Sequence, residues 1–393
     1  MNAARDHCPA CQEPDLVAVV EVKNQTVHSC LLWDSLQAAV EAPRGDIRLS
    51  FCRTCGMIYN AAFDPSLLAY SAEYENSLHY SRRFQEYAER LASRLIERYA
   101  LRGKNIVEIG CGAGEFLTLL CRKGGSRGVG FDPSYPGERD TEESGRLTFI
   151  RDVYSEAYAG YVIDLLCCRH VLEHIAEPRE FLLQVRRTLG KSSHAIVYCE
   201  VPDALYMLRD LSIGDIIYEH CSYFCGPALA RLFEETGFTV LDVYTAFGAQ
   251  YLALEASPAP RAPKPGMKAQ ADLTELSDLV LAFGERYRRK MHMWRRTLRV
   301  LAATKDRIVM WGAGAKGVTF LNTVGGEARI DYVVDINPRK QGNYIAGTGQ
   351  QIVSPEFLRD YRPDAVLVMN PLYEEEIRAT ITRLRIVADI LLL

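Results

Sequence analysis

The sequence predicts an α/β fold with two Rossmann-like units and a small cysteine-rich module before them. Strand-like and helical segments alternate between residues 105 and 255, and again between 307 and 369. Such alternation is typical of parallel sheets covered by helices. Residues 257–266 separate the two series, and their proline density indicates a semi-rigid linker.

Size and composition agree with this organisation. A chain of 393 residues, 48% hydrophobic and 24% charged, predicts two or three globular domains rather than disorder. The formal net charge of −4 disfavours a nucleic-acid partner. The sequence has no apolar run of roughly 20 residues, the length that a membrane helix requires. We therefore expect a cytoplasmic protein that acts on a small molecule, while the oligomeric state stays open.

Four cysteines form two closely spaced pairs, Cys8-Pro-Ala-Cys11 and Cys52-Arg-Thr-Cys55. Each pair presents two thiolates from a tight turn, and four thiolates make a closed tetrahedral zinc site. Because a closed site has no position for a reactant, the pattern predicts structural Zn²⁺. Reduced core cysteines are the alternative.

The patterns also place the domain boundaries. They predict a zinc-binding module at 1–66, a middle domain at 67–256, a linker and helical connection at 257–304, and a last domain at 305–393. Helical periodicity over 67–99 gives one buried stripe of Phe84, Tyr87, Leu91 and Leu95. A long helix is expected over 268–304. The predicted strands are 105–109, 128–131, 147–151, 162–168, 195–200, 251–255, 307–311, 330–334 and 365–369.

A glycine-rich turn, Gly110-Cys111-Gly112-Ala-Gly114, follows the first strand of the middle domain. Glycine lets the backbone approach a ligand that a Cβ atom would keep away. Asp132, one βα unit downstream, can accept hydrogen bonds from two ribose hydroxyls. The sequence therefore predicts a site for an adenosine-containing ligand.

With Glu108 before the first glycine, this turn resembles the first motif of class I S-adenosylmethionine methyltransferases. The resemblance implies a class I methyltransferase core with S-adenosylmethionine as cofactor and Glu108 at its methionine end. It also implies that Asp152 contacts the adenine amine, and that Arg169 and His170, after the fourth strand, lie at the cofactor. A turn for another nucleotide and a cofactor-free remnant are the alternatives.

An acid, an imidazole and phenols are concentrated after strand 195–200, in the run that contains Tyr218, Glu219 and His220. A histidine can take a proton near neutral pH, and a neighbouring carboxylate or phenol can orient it. We predict His220 as the base, Glu219 and Tyr218 as groups assisting it, and His174 as a second catalytic candidate. Either histidine could instead be structural.

Four residues are predicted to contact the substrate: Tyr223 in the same run, Tyr74 and His79 upstream, and Lys316 in the last domain. A solvated loop is the alternative for Tyr74 and His79. Lys316 lies in Gly312-Ala-Gly-Ala-Lys316-Gly317, and Asp335 ends the next strand. Near a helix start, Lys316 would suit a phosphate. Three interpretations of this turn stay open: a site for a substrate nucleotide or phosphate, a nicotinamide site, or a scaffold that packs on the middle domain.

Taken together, the two cysteine pairs, the 108–114 turn, the Tyr-Glu-His-x-x-Tyr-Phe run and the Gly-Ala-Gly-Ala-Lys-Gly turn resemble the three-domain C-methyltransferases of deoxysugar biosynthesis. The resemblance spans nearly the whole chain. It implies methylation of a carbon beside a ketone in a nucleotide-linked sugar, by a histidine base and S-adenosylmethionine, with structural zinc.

The sequence departs from that family at points that affect the substrate. Ile217 stands where the family has a tyrosine, and Glu173 stands where it has a cysteine before the histidine. An O- or N-methyltransferase of a non-sugar intermediate is therefore an alternative. Two further alternatives are an NAD-dependent oxidoreductase using the last domain, and a zinc-ribbon RNA-binding methyltransferase or binding module.

Overall fold

The computed structural model describes residues 5–68, 73–137, 139–141, 145–190, 192, 194–260, 273–324, 326 and 329–393. Their strands form three sheets, of four, eight and five strands. Within these residues, no helix is both long and apolar enough to cross a membrane.

The first sheet belongs mainly to the cysteine-rich module. Its elements in chain order are β1 Leu16–Thr26, α1 Leu36–Val40, β2 Arg44–Cys52 and β3 Ile58–Asn60. The three strands pair antiparallel as β1-β2-β3. A short 3-10 helix, Pro65–Leu67, ends the module.

The middle of the chain forms the eight-stranded sheet. Its elements are α2 Arg82–Tyr99, β4 Asn105–Ile109, α3 Glu115–Gly124, β5 Arg127–Phe131, β6 Arg139–Thr141, β7 Leu147–Ile150, β8 Leu165–Arg169, α4 Pro178–Leu189, β9 Ile196–Pro202, α5 Ala204–Asp210, β10 Ser222–Tyr223, α6 Gly226–Glu235, β11 Thr239–Ala246 and β12 Tyr251–Ser257. The sheet order is β11-β12-β9-β8-β4-β5-β7-β6. Five neighbouring strands are parallel, while β12 pairs antiparallel with β9.

The last part of the chain forms a smaller parallel sheet. Its elements are α7 Leu273–Thr304, β13 Ile308–Trp311, α8 Ala315–Val324, β14 Ile330–Val334, β15 Gln351–Val353, α9 Leu358–Tyr361, β16 Ala365–Val368, α10 Glu374–Arg383 and β17 Asp389–Leu392. The order is β15-β14-β13-β16-β17, with every pair parallel. The predicted pair of Rossmann-like units is therefore confirmed.

The helix predicted over 67–99 begins later than the periodicity suggested. It starts at Arg82, where the Ser81 side chain accepts a hydrogen bond from the Phe84 N–H. The four predicted stripe residues are buried on its inner face. Residues 73–81 are not helical because tertiary contacts hold them: Tyr74 forms a β-bridge with Leu31. Residues 69–72 of this prediction lie outside the described part of the chain.

Two other sequence predictions change in the structure. Strand β11 was not predicted, although it forms the edge of the eight-stranded sheet beside β12. The predicted linker starts inside β12, which ends at Ser257, and residues 261–266 of it lie outside the described residues. Strand β10 lies in the middle segment yet pairs with β3, so the first two sequence regions share one sheet.

Candidate functional site

The turn between β4 and α3 holds three glycines in left-handed conformations. A Cβ atom at Gly110 would lie 2.1 Å from Val171, and one at Gly114 would lie 2.3 Å from Phe149. At Gly112 a Cβ atom would meet no described atom within 4 Å. Gly110 and Gly114 therefore serve packing, while Gly112 faces space that a ligand could occupy.

Two carboxylates flank this turn. Glu108 is buried at the end of β4, and its Oε2 has no hydrogen-bond partner among the described residues. Burial raises the pKa of Glu108 to about 8. Asp132, after β5, accepts a 2.8 Å hydrogen bond from the Gly112 N–H. An ammonium group would satisfy Glu108, so the site fits the methionine end of S-adenosylmethionine.

Other predicted cofactor residues are placed differently. The Cys111 thiol packs under the turn against Gly130, so only its backbone faces the turn. Asp152 is exposed, and its carboxylate accepts hydrogen bonds from the Val153 N–H at 2.7 Å and the Tyr158 hydroxyl at 2.5 Å. An adenine contact by Asp152 stays a prediction.

Arg169, at the end of β8, takes part in a buried ion pair. Its guanidinium is buried, donates to Glu200 Oε1 from Nε at 3.0 Å and Nη2 at 2.9 Å, and lies 4.2 Å from the Phe116 ring centroid. Glu200 also accepts hydrogen bonds from the Tyr87 and Tyr198 hydroxyls. This ion pair stabilises both groups because a buried carboxylate needs a charged partner. Arg169 also acts electrostatically on Glu108 beside the glycine turn, and its contact with the cofactor stays a prediction.

His170 adopts a left-handed backbone conformation, with φ of 55°. Its Nδ1 lies 3.6 Å from Glu173 Oε1, and its Nε2 lies 3.2 Å from Glu200 Oε1. Burial lowers the pKa of His170, but the two carboxylates outweigh burial and raise this pKa to about 9. His170 is therefore positively charged at neutral pH.

A cavity of about 350 Å³ lies between the middle and last domains. Five predicted site residues line it: His170, His174, His220, Tyr74 and Lys316. Pockets that bind small molecules occupy about 300–1,000 Å³. The structure thus brings residues from four separate sequence segments to one cavity.

The two candidate catalytic histidines are neighbours in this cavity. Their ring centroids lie 5.0 Å apart at an interplanar angle of 75°. His174 Nδ1 lies 3.0 Å from the Glu219 carbonyl oxygen, which fixes the His174 ring. Burial and the nearby charges of His174, His170 and Lys316 hold the pKa of His220 well below its usual range. His220 is therefore neutral at physiological pH, as a base must be.

Glu219 and Tyr218 do not reach the cavity. Glu219 is buried, and its Oε2 accepts a 3.0 Å hydrogen bond from the Ser29 N–H. The Tyr218 hydroxyl accepts a 2.9 Å hydrogen bond from the Asp64 N–H, and its ring packs on Gly45. These two side chains attach the His220 segment to the first sheet. The structure therefore gives Tyr218 and Glu219, which were predicted to assist His220, contacts that hold its segment in place.

Two predicted substrate residues also lie away from the cavity. The Tyr223 hydroxyl donates to the Ile217 carbonyl at 3.2 Å, because β10 turns this side chain into the interior. The His79 ring packs edge-on against Phe84, with centroids 5.1 Å apart. Neither side chain lines the cavity, and substrate contacts by Tyr223 and His79 stay predictions.

The last domain faces the cavity with its own glycine turn. The Ala313 N–H donates to Asp335 Oδ2 at 2.8 Å, which repeats the contact between Gly112 and Asp132. Lys316, at the start of α8, lies 2.6 Å from Asp215 Oδ1. Both turns therefore have the same local build, and the second one borders the space in front of the histidines.

The four paired cysteines form one cluster. The Cys8 and Cys55 sulfurs are 3.6 Å apart, and the Cys11 and Cys52 sulfurs are 3.5 Å apart. A tetrahedral zinc site with bonds of about 2.3 Å separates its sulfurs by about 3.8 Å. The donor set and spacing fit Zn²⁺, which these four side chains could hold.

Sequence reasoning missed several cavity residues. Glu173, Cys30 and Lys340 line the cavity, as do Gln250 and Asn370, whose side-chain amides bond to each other at 2.9 and 3.0 Å. Glu173 adjoins His174, and Lys340 closely follows Asp335, so proximity to a motif was the only signal available. Nothing in the local sequence indicates the pairing of Gln250 with Asn370.

Comparison with known proteins adds independent findings. A methyltransferase domain model matches residues 84–243, and a model described as C-methyltransferase C-terminal domain matches residues 267–387. The chain is 27% identical over 388 residues to C-methyltransferase NovU of Streptomyces niveus, covering 95% of this chain and 91% of that protein.

Other similarities are confined to part of the chain. The mitochondrial ubiquinone biosynthesis O-methyltransferase of Schizosaccharomyces pombe is 31% identical over 164 residues, which are 37% of this chain and 59% of that protein. The structure of magnesium protoporphyrin IX methyltransferase from Synechocystis PCC 6803 is 17% identical, with a TM-score of 0.35, covering 45% of this chain and 84% of that chain. The end-to-end match is therefore to a C-methyltransferase.

Proposed function

Since this chain is an S-adenosylmethionine-dependent methyltransferase of the C-methyltransferase family, we propose that it methylates a carbon beside the carbonyl group of a nucleotide-linked keto-sugar. The eight-stranded sheet, with β12 antiparallel beside β9, has the class I methyltransferase order. The oxidoreductase alternative depended on the glycine turn of the last domain. It is disfavoured because this domain matches the model of a C-methyltransferase C-terminal domain.

The observation that carries the proposal is the shared cavity. His174 and His220 line it from one side, and Gly312, Gly314 and Lys316 of the second glycine turn line it from the other. Backbone N–H groups at the start of a helix bind phosphate groups well. A ligand with a ketone at one end and a diphosphate at the other would use both walls.

His220 has the properties of a general base for the first step. Its Nδ1 has no hydrogen-bond partner among the described residues, and the ring is neutral because its pKa is depressed. In the proposed step, Nδ1 takes the proton from the acceptor carbon, and the electron pair moves to the carbonyl oxygen as an enolate forms. The charged His170 on the same wall favours negative charge on that oxygen.

In the second step, the methyl transfer, the main task of the protein is to align the two reactants. Bound S-adenosylmethionine supplies a methyl group activated by its sulfonium. The residues that fit the cofactor, Glu108, Gly112 and Asp132, fix the donor end, and the cavity walls fix the enolate carbon. Holding two reactants in line lowers the activation free energy by on the order of 7–11 kcal/mol in favourable cases.

The test uses ¹³C-methyl-labelled S-adenosylmethionine with nucleoside diphosphate-linked keto-sugars, followed by NMR of the product. We expect a new methyl carbon bonded to a ring carbon, and loss of the hydrogen from that carbon. A product with the label on oxygen or nitrogen would overturn the carbon assignment. Turnover of non-nucleotide acceptors alone would overturn the nucleotide assignment.

A further inference from the structure

The segment that carries His220 is held by the last third of the chain. Arg286 of α7 donates to the carbonyls of Leu208 and Arg209 at 3.1 and 2.9 Å, and Lys290 donates to the Leu211 carbonyl at 2.8 Å. These are carbonyls at the end of α5, which a helix leaves without internal partners. Helix α7 therefore fixes the point from which the His220 segment starts.

The segment then lies directly against helix α8. A Cβ atom at Gly214 would lie 3.0 Å from Lys316 Cα, so only glycine allows this approach without displacement. Lys316 Nζ lies 2.6 Å from Asp215 Oδ1 and donates to the Ser212 hydroxyl at 3.2 Å. Both side chains of the ion pair are mostly buried, which makes it stronger than an exposed pair.

Asp215 connects this contact to the histidine. Its carbonyl accepts a 3.1 Å hydrogen bond from the Ile217 N–H, and its side chain is the partner of Lys316. The Ile217 carbonyl accepts bonds from the His220 N–H at 3.3 Å and the Tyr223 hydroxyl at 3.2 Å. Two successive backbone hydrogen bonds thus join Asp215 to His220, so the position of His220 depends on where Asp215 is held.

We infer that Asp215 is a positioning residue for His220 and that Lys316 of the last domain holds it in place. The inference rests on the proposed role of His220. It gives the last domain a part in turnover, whereas the phosphate role predicted for Lys316 would give it a part in substrate affinity only. The two roles make different predictions for kcat and KM.

The first measurement is ¹⁵N NMR of the full chain labelled at histidine, with the His220 signals assigned by their absence in His220→Gln. We expect Lys316→Met and Asp215→Asn to shift the His220 ring signals, and Lys316→Arg to restore them. Glu275→Gln, which removes the charge from the exposed 2.9 Å pair between α7 and Arg209 of α5, is the matched control and should leave these signals unchanged. Unchanged His220 signals in both Lys316→Met and Asp215→Asn would overturn the inference.

The second measurement is steady-state kinetics with the acceptor found in the labelling experiment. We expect Lys316→Met to lower kcat by about tenfold or more with little change in KM, since misplacing a catalytic group slows the reacting complex. A higher KM with unchanged kcat would show Lys316 to be a substrate ligand only and would overturn the inference. Full activity of His220→Gln would instead contradict the proposed function. The two failures can be told apart because the NMR measurement does not depend on turnover.

Discussion

His174 and His220 lie side by side, with ring centroids 5.0 Å apart, and only His174 has its Nδ1 at the Glu219 carbonyl. His220 Nδ1 has no partner among the described residues. The two rings therefore differ in their surroundings: the backbone fixes His174, whereas His220 Nδ1 is unpaired within the described part of the chain, as the proposed role of His220 as base requires.

We expect His220→Gln to lower kcat by about 10²- to 10⁴-fold, the usual contribution of a general base. Binding of S-adenosylhomocysteine should not change, because the cofactor residues lie at the 108–132 turn. Tyr218→Phe is the control, since its hydroxyl contacts Asp64 and not the cavity. It should keep kcat and lose about 1 kcal/mol of unfolding free energy. Comparable losses of kcat in the two variants would refute the assignment.

The pH dependence of cofactor binding should depend on Glu108. Burial raises the pKa of Glu108 to about 8, so this carboxyl is mostly protonated in the free protein at pH 7. The ammonium group of the ligand favours the carboxylate, so binding should release a proton below pH 8. Affinity for S-adenosylhomocysteine should then rise with pH, by at most about tenfold per unit between pH 6 and 7.5.

Calorimetry in two buffers of different ionisation enthalpy measures this proton release. The side chain of Glu108→Gln cannot ionise. This variant should therefore bind S-adenosylhomocysteine more weakly and should release fewer protons on binding. If Glu108→Gln and the natural chain release the same number of protons, another group is responsible.

The cysteine cluster predicts about one zinc ion per chain. Replacing Cys52 and Cys55 with serine should remove the metal and lower the melting temperature, because the metal links two distant turns of the first module. Cys121→Ala is a suitable control, since this buried thiol lies outside the cluster and should leave the zinc content unchanged. Metal-free natural protein with an unchanged melting temperature would contradict the zinc site.

Sequence patterns identified the elements whose signals are local. The turn after β4, the acid at Asp132 and the four paired cysteines follow from spacing alone. The direction of the Tyr218 side chain does not, because it depends on the space above Gly45 in another part of the chain. Residues 73–81 likewise leave the helical pattern because distant groups, Asn337 and Arg339, hold Glu75.

The ion-pair partner of Lys316 also could not be predicted from local sequence. The sequence placed this lysine near a helix start and predicted a phosphate contact. Asp215, its partner in the structure, lies 101 positions earlier and is brought to it by the packing of the His220 segment on α8. Local patterns predict which groups could react, and tertiary packing decides which of them meet.

The proposed binding of the methyl donor by the 110–114 turn is tested most directly by a pair of glycine variants. Gly112 and Gly103 both have positive φ, and at both a Cβ atom would meet no described atom within 4 Å. Alanine at either position should therefore cost a similar stability, roughly 1 kcal/mol. By calorimetry, Gly112→Ala should weaken S-adenosylhomocysteine binding by about tenfold or more while Gly103→Ala binds as the natural chain does. Equal affinity in both variants would contradict the claim.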